Sequence, residues 1–177
     1  MSGWTAKRFW AAAQPEACHD GFTVRLDARP VKTPAKQALI LPTFAMAQAI
    51  AAEWDAQQGV IKPDTMPLTR AANSAIDKVA PMFDGVVDEI AKYGGTDLLC
   101  YRAMDPPALI ARQAEGWDPL LEWVRHNLNA PLAVTQGVIP VPQPESSLDR
   151  FRAHVTAHTP FQLAALHDLV AISGSLV

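Results

Sequence analysis

The sequence predicts an α+β protein with a small β-rich N-terminal region, which includes one packed helix, followed by an all-helical C-terminal bundle. Short alternating segments between turn residues occupy roughly the first forty positions, whereas the later apolar patterns repeat with the helical period. The polar, proline-containing stretch 62–67 separates the two kinds of pattern. We therefore predict a β-rich domain over residues 1–62 and a helical domain over residues 63–177.

Composition and charge are those of a soluble, intracellular globular protein. Of the 177 residues, 49% are hydrophobic and 19% are charged, and the formal net charge is −3. A chain of this charge without a basic stripe is not expected to bind nucleic acid. It has no apolar run long enough for a membrane span and no signal-peptide pattern at its start, so we expect no membrane insertion. Cys18 and Cys100 lack metal-ligand spacing, and they could form one disulfide.

The β-rich region is predicted from alternation and turn residues. Asp20-Gly21 is typical of a hairpin turn. After it, Phe22, Val24 and Leu26 should face the core while Thr23 faces solvent. Further turn residues and prolines predict a second turn, an edge segment and a final short strand, over residues 27–30, 31–33 and 39–41 respectively.

A helix capped by Thr43 should pack against these strands, and Gly59 should take the left-handed conformation after its end. Its predicted apolar face consists of Phe44, Ala47, Ile50, Ala51 and Trp54.

The helix predicted over residues 67–79 should join the β-rich and helical regions. Arg70, Asn73 and Asp77 form a polar stripe along one of its sides. Its core-facing residues are predicted to be Leu68, Ala71, Ala72, Ala75, Ile76 and Val79.

Four further helices are predicted downstream. The first has Phe83, Val86, Val87 and Ile90 on its apolar face and ends at Gly94-Gly95. The second is long, follows Pro106-Pro107, and should kink near Asp118 because Pro119 lies inside it. Its predicted core face consists of Leu109, Ile110, Gln113, Trp117, Leu120, Leu121, Val124 and Leu128.

A proline-rich loop over residues 130–144, which could contain a short extended piece, separates these helices from the last two. Ser146 or Ser147 should cap the next helix, and Thr159-Pro160 should open the last one. The last helix is apolar nearly all round, which predicts a central position in the bundle, and Gly174 could end it.

Three combinations of residues are candidates for a metal, catalytic or phosphate-binding site. Helical spacing places His154 and His158 on one face, and with His167 on the next helix they could hold zinc. The spacing does not fix His167 or any other residue as the third ligand. The alternative is that these histidines are packed or solvated. Ser173 beside His167-Asp168 lacks the strand–turn–helix setting of a hydrolase nucleophile. Gly94-Gly95-Thr96 lacks the lysine of a phosphate-binding loop. We therefore predict no catalytic residue, metal or cofactor.

The polar residues Arg70, Asn73, Asp77, Asp97 and Arg102 form the most informative group. They could line a ligand cleft, or they could form an ion-pair network that joins the two regions.

Two aromatic residues and one aspartate extend this group of candidates. Tyr101, Trp117 and Asp118 are added as candidate partner-binding or interdomain residues. Trp54, Trp117 and Trp123 fit core packing, and each would anchor an interface if it were exposed.

Six strings in order closely resemble the assembly chaperone of the F-type ATP synthase, the factor that handles the α subunit of the catalytic head. The resemblance runs over residues 7–177. The strings are Gly21–Asp27, Arg29–Ala35, Ala51–Gln57, Met66–Asn73, Thr96–Arg102 and Trp117–Leu121.

This resemblance implies a non-enzymatic protein that uses no nucleotide and holds newly made α subunit until a β subunit replaces it. It implies a bacterial cytoplasmic protein, or a mitochondrial matrix protein if the chain is a processed form. Members of the family continue past the string at residues 174–177 with more helix and an acidic segment, so we expect the helical domain to be truncated here. The alternative is a small-ligand enzyme with Arg70, Asp77, Asp97 and Arg102 in an interdomain cleft.

Overall fold

In the computed structural model, which describes residues 6–177, the N-terminal unit is built on a three-stranded antiparallel sheet. Its strands are β1 (Ala13–Cys18), β2 (Gly21–Leu26) and β3 (Arg29–Pro30), in that order across the sheet. Together with the helices downstream, this sheet confirms the predicted α+β class. The chain divides into two compact units, Met1–Pro81 and Met82–Val177. A domain boundary near residue 62 stays a prediction.

The hairpin predicted at Asp20-Gly21 is confirmed. Cys18 pairs with Gly21, and His19 and Asp20 form the turn between the strands. Gly21 has a φ of 142°, and a Cβ atom there would lie 2.6 Å from the carbonyl oxygen of Leu41. A side chain at this position would therefore clash with the returning backbone.

The solvent-facing side of β2 is less exposed than predicted. Val24 and Leu26 are buried as expected, but Thr23 is buried too. The strand is flanked on one edge by β1, while on the other the chain returns, with hydrogen bonds from Val31 N to Val24 O and from Leu41 N to Phe22 O. Neighbours on both edges shield a short side chain such as threonine. The predicted final strand at residues 39–41 makes only an isolated bridge between Phe22 and Leu41.

Helix α1 (Phe44–Asp55) packs against β1 and β2. Thr43 caps it as predicted, since the Thr43 hydroxyl accepts a hydrogen bond from Met46 N at 3.2 Å. Phe44 was predicted to be in the core, but 49% of its surface is exposed, because it occupies the first position and meets the Phe22 ring edge-on. The buried residues are Ala47, Ile50, Ala51 and Trp54.

Helix α2 (Pro67–Ser74) continues as a π-helical turn, Ala75–Val79, so the predicted helix over residues 67–79 is confirmed. Its buried face differs from the prediction, because Leu68 and Ala71 are exposed. Thr69 takes their place, as its amide and hydroxyl both bond to Glu53 on α1. The buried residues are Thr69, Ala72, Ala75 and Val79.

The C-terminal unit contains four helices and a two-stranded ribbon. The helices are α3 (Phe83–Ala91), α4 (Pro107–Trp123), α5 (Glu145–Thr156) and α6 (Pro160–Ser173), and α3 packs against α5 and α6. Short 3-10 turns occupy Lys92–Gly95 and Leu98–Cys100, and a π-helical turn, Val124–Leu128, extends α4.

The ribbon adds two short strands to the predicted helical bundle. Strands β4 (Tyr101–Arg102) and β5 (Thr135–Gln136) pair in parallel. Strand β5 lies in the loop where the sequence allows a short extended piece, but two-residue strands carry no periodicity that would predict their pairing.

Two predictions for the last helices were wrong. Ser147 does not cap α5 but is fully buried in its first turn, where its hydroxyl donates to the carbonyl oxygen of Pro131 at 2.7 Å. Helix α6 is not central to the bundle, since it buries only Leu163 and Val170 while Ile172 is 86% exposed. Its predicted ends are confirmed by the Thr159 capping box and by Gly174, which has a φ of 72°.

Candidate functional site

Two of the predicted polar residues of the N-terminal unit, Asp77 and Arg70, have polar contacts within that unit. Asp77 accepts hydrogen bonds from the Thr33 hydroxyl at 2.6 Å and from Ala35 N at 3.1 Å, so it fixes the loop after β3 to the end of the α2 helix. Arg70 is exposed, and its Nη1 lies 3.7 Å from Asp64 Oδ1. Exposed ion pairs of this kind contribute little to stability. Asn73 is half-buried on α2.

Asp97 is a fully buried carboxylate in the C-terminal unit. It caps the Leu98–Cys100 turn by accepting from Leu99 N at 3.0 Å. It also accepts from the Ser175 hydroxyl at 2.8 Å and from Leu176 N at 2.7 Å. These donors occupy the acceptor positions of the carboxylate, so Asp97 serves as an anchor for the chain that follows α6.

Cys100 lies close to Asp97 and is buried. Burial and the charge of Asp97 raise the pKa of the Cys100 thiol to about 11, although the guanidinium of Arg102 opposes both effects. A thiol with such a pKa is an inert core residue rather than a nucleophile. Cys18 and Cys100 are both free, so the disulfide that the sequence left open is not formed.

Arg102, Trp117 and Asp118 are the predicted residues that the structure brings together. Arg102 Nη1 lies 2.6 Å from Asp118 Oδ1, and the guanidinium carbon lies 5.4 Å from the centre of the Trp117 ring. The Arg102 Nε donates to Leu99 O at 2.9 Å, while Nη2 is buried without a hydrogen-bond partner. This cluster fastens β4, including the half-buried Tyr101, to the middle of α4.

The histidines weighed as zinc ligands have separate surroundings. His158 Nδ1 lies 2.9 Å from the carbonyl oxygen of His154, and His167 lies 3.2 Å from Asp168. Within residues 6–177 there is no group of three side chains placed to hold a metal ion. The helices of the same residues include none with the length and apolar content of a membrane span.

An open depression of about 330 Å³ lies in the N-terminal unit. Gln57, in its wall, is buried, and its side-chain amide is fully used, since it bonds to Glu53 O, Thr65 Oγ1 and Lys62 N. The buried polar group of this depression is therefore already paired within the protein and is not available to orient a ligand. The lining residues are Ala56, Gln57, Gln58, Val60, Lys62 and Thr65.

The outer side of α4 presents apolar side chains to solvent. The helix contains no buried residue between Pro107 and Trp123, although a core-facing helix was predicted. Leu109, Leu120 and Trp123 are 40%, 43% and 51% exposed. With Gly116 they recur at i, i+7, i+11 and i+14, so they lie along one side of the helix. We call these four residues the outer stripe of α4.

The outer stripe is adjacent to the face of α4 that packs against the rest of the C-terminal unit. Trp117 and Leu121 are half-buried and Val124 is fully buried, so the predicted apolar face is wider than the surface that covers it. A Cβ atom at Gly116 would meet nothing within 4 Å, which leaves the middle of the stripe open to a close approach. Half-exposed leucine and tryptophan in a row are typical of a protein-binding surface.

A second exposed apolar feature was missed by the sequence reasoning. Val138 and Ile139 are 88% and 76% exposed in the loop between β5 and α5. The available signal was the absence of acidic and basic side chains between His126 and Glu145. The prolines of this stretch led to its interpretation as an ordinary connecting loop.

Comparison with known proteins gave one family and several solved structures. The family model described as ATP12 chaperone protein matches residues 7–125. A point mutant of Paracoccus denitrificans Atp12p and the Atp12 crystal structure from that organism are each 57% identical to this chain, with TM-scores of 0.94. These matches cover 99% and 98% of this chain and 75% and 74% of theirs. The Atu1473 protein of Agrobacterium tumefaciens is 40% identical with a TM-score of 0.88, over 96% of this chain and 64% of its own.

Proposed function

This chain belongs to the ATP12 chaperone protein family, and we propose that it binds the unassembled α subunit of the F-type ATP synthase until a β subunit replaces it. Membership of a chaperone family implies a binding role rather than catalysis. The bacterial origin of the similar structures supports the bacterial cytoplasm as the place where it acts.

The outer stripe of α4 is the observation that carries this proposal. A subunit awaiting assembly exposes an apolar interface, and such an interface aggregates unless another apolar surface covers it. Leu109, Leu120 and Trp123 offer such a surface on a helix that is held in place by the Arg102–Asp118 ion pair. Trp123 has the side chain expected of an interface anchor, because tryptophan buries a large area on binding.

Release requires only competition. A chaperone that covers the interface lowers the concentration of free, aggregation-prone subunit by mass action. A β subunit that binds the same interface more tightly then displaces it. During this exchange Asp77, Asp97 and the Arg102–Asp118 ion pair keep their contacts within the chain. No nucleotide cycle is needed for this exchange.

The test is the aggregation of isolated α subunit, followed by light scattering with and without an equimolar amount of this protein. We expect the wild-type protein to suppress scattering and the double variant Leu120→Ser/Trp123→Ser to suppress it much less. Both side chains are half-exposed, so the variant should keep the unfolding midpoint of the wild type. Met82→Gln, which changes another exposed apolar residue, is the matched control and should protect normally.

Two results would count against the proposal in different ways. If the wild-type protein gives no protection, the α subunit is not its partner. If it protects and the Leu120→Ser/Trp123→Ser variant protects equally, the outer stripe is not the binding surface.

A further inference from the structure

The loop between β5 and α5 presents its most apolar residues to solvent. Val138 and Ile139 at its tip are 88% and 76% exposed, and Met104 beside the loop is 69% exposed. A Cβ atom at Gly137 would lie 3.8 Å from the Met104 sulfur, so Met104 lies next to the base of this tip. We call residues 133–143 the 138 loop.

The 138 loop is fixed at its base by a side chain. Gln143 Oε1 accepts a hydrogen bond from Ala133 N at 2.7 Å, and Gln143 Nε2 donates to Ala133 O at 2.9 Å. The amide of Gln143 thus pairs with both polar groups of one residue across the loop, as a neighbouring strand would. The two ends of the loop are thereby held together.

The ribbon holds the N-terminal side of the 138 loop in place. Strand β5 pairs with β4, and Gly137 N donates to Arg102 O at 2.8 Å just before the tip. Gly137 has a φ of 79°, the left-handed conformation that glycine adopts most easily, and it turns the chain towards Val138. The tip therefore begins from a fixed point on the Arg102 cluster.

Prolines stiffen the C-terminal side of the 138 loop and reduce the number of its backbone hydrogen-bond donors. Pro140, Pro142 and Pro144 alternate with Val141 and Gln143. Each proline fixes its own φ and carries no backbone N–H. Fewer donors then lose their water when this side of the loop is covered by a partner.

The 138 loop carries no charge. Between His126 and Glu145 the sequence has no acidic or basic side chain, in a protein in which 19% of residues are charged. Burying a charge in an interface is costly unless it is paired, and this loop avoids that cost along its whole length.

We propose that the 138 loop is an insertion element, which places Val138 and Ile139 in an apolar cleft of the unassembled α subunit. This inference rests on the proposed function and names a second contact for it, separate from the outer stripe of α4. Side chains at 88% and 76% exposure contribute little to the core of their own protein. A loop that is already ordered loses little conformational entropy on binding, so its apolar area contributes more fully to affinity.

The test uses the double variant Val138→Ser/Ile139→Ser with isolated α subunit. The readout is the concentration that gives half-maximal suppression of scattering. We expect this concentration to rise about tenfold or more, which corresponds to about 1.4 kcal/mol of binding free energy. The midpoint of thermal unfolding should stay that of the wild type. Ile172→Ser on α6, at 86% exposure, is the matched control and should leave protection unchanged.

A second variant tests the ordering of the loop rather than its tip. Gln143→Ala removes both hydrogen bonds to Ala133 and keeps Val138 and Ile139, so it should weaken protection by a smaller factor than the tip variant. If the wild type protects and the Val138→Ser/Ile139→Ser variant protects equally, the insertion element is disproved while the proposed function stands. Equal loss of protection in the Ile172→Ser control would also disprove it. No protection by the wild type would disprove both.

Discussion

Asp27, Asp77 and Asp97 each hold a chain segment that is distant from the carboxylate in sequence. Asp27 accepts hydrogen bonds from the backbone amides of Ala11 and Ala12 at 3.1 and 3.0 Å. Asp77 accepts from the loop after β3, and Asp97 accepts from the chain after α6. Hydrogen bonds from amides to an ionised carboxylate are stronger than those between neutral groups. These acids therefore hold chain segments together within each of the two units.

Asp27 gives this role a pH dependence. Hydrogen bonds from the amides of Ala12 and Ala11 and the charge of Arg8 together lower the pKa of the Asp27 carboxyl below its usual 3.8. A depressed pKa in the folded state means that the stabilisation is present above pH 3.8 and is lost as the pH falls through the folded-state value. We therefore expect Asp27→Asn to have a lower urea midpoint than the wild type near neutral pH, with the difference disappearing in strong acid.

Asparagine is chosen because it also tolerates the positive φ of 52° that Asp27 adopts, so the comparison isolates the charge. The measurement is urea unfolding of both proteins across a series of pH values. Asp20→Asn serves as the control, since the exposed Asp20 in the hairpin turn bonds only to its neighbour His19 among the described residues. A difference between wild type and Asp27→Asn that stays constant down to strong acid would contradict the assignment.

Single residues were predictable from the sequence where their partners are local. Thr43 and Thr159 bond to amides three residues further on, so their capping roles follow from the residue type and the adjacent apolar pattern. Asp97 and Ser175 are 78 positions apart, and no local pattern connects them. Ser147 was assigned to the wrong role because its partner, Pro131, lies in the preceding loop.

At the scale of elements, α2 depends on a cap supplied by another helix. Met66 precedes α2 and makes no side-chain cap. Glu53 on α1 takes that role, since its carboxylate accepts from Leu68 N at 2.7 Å and from Thr69 N at 2.8 Å. A negative charge at the start of a helix also complements the helix dipole. The contact joins α1 to α2 within the N-terminal unit.

We expect Glu53→Ala to lower the free energy of unfolding by about 0.5–2 kcal/mol, the cost usually seen for the loss of a helix cap. Urea unfolding followed by circular dichroism measures this. The matched control is Glu89→Ala on the exposed side of α3, which should change the midpoint little. Equal midpoints for Glu53→Ala and the control would contradict this prediction. They would show that water replaces Glu53 as the hydrogen-bond acceptor of the first amides of α2 without loss of stability.

Helix positions were predictable, but which side of a helix is buried was predicted less well. The apolar period located α1, α2, α3 and α4 correctly because the pattern depends only on the 3.6-residue turn. The outer stripe of α4 and the exposed side of α6 have the same composition as a core face. A binding surface and a core surface obey the same chemistry, so the sequence alone could not separate Trp123, which is exposed, from Trp54, which is buried.

Across the whole molecule, charge and exposed apolar surface are distributed unevenly between the units. The N-terminal unit carries nine basic and seven acidic residues, whereas the C-terminal unit carries six basic and eleven acidic residues. The C-terminal unit also carries the outer stripe of α4 and the 138 loop, and neither contains a charged residue. An excess of acidic charge in the unit that carries these apolar surfaces favours solubility of the free protein.

The proposed association with α subunit should therefore have the thermodynamic signature of apolar burial. Calorimetric titrations at several temperatures should give a negative heat-capacity change, because apolar surface leaves water on binding. Raising the salt concentration from about 50 to 500 mM should change the dissociation constant by less than about threefold, since the contacting side chains carry no charge to screen. The Val138→Ser/Ile139→Ser variant should reduce the size of the heat-capacity change and leave the salt dependence unchanged. A steep loss of affinity with salt, together with a heat-capacity change near zero, would instead assign binding to exposed charges such as Arg70 and Asp118.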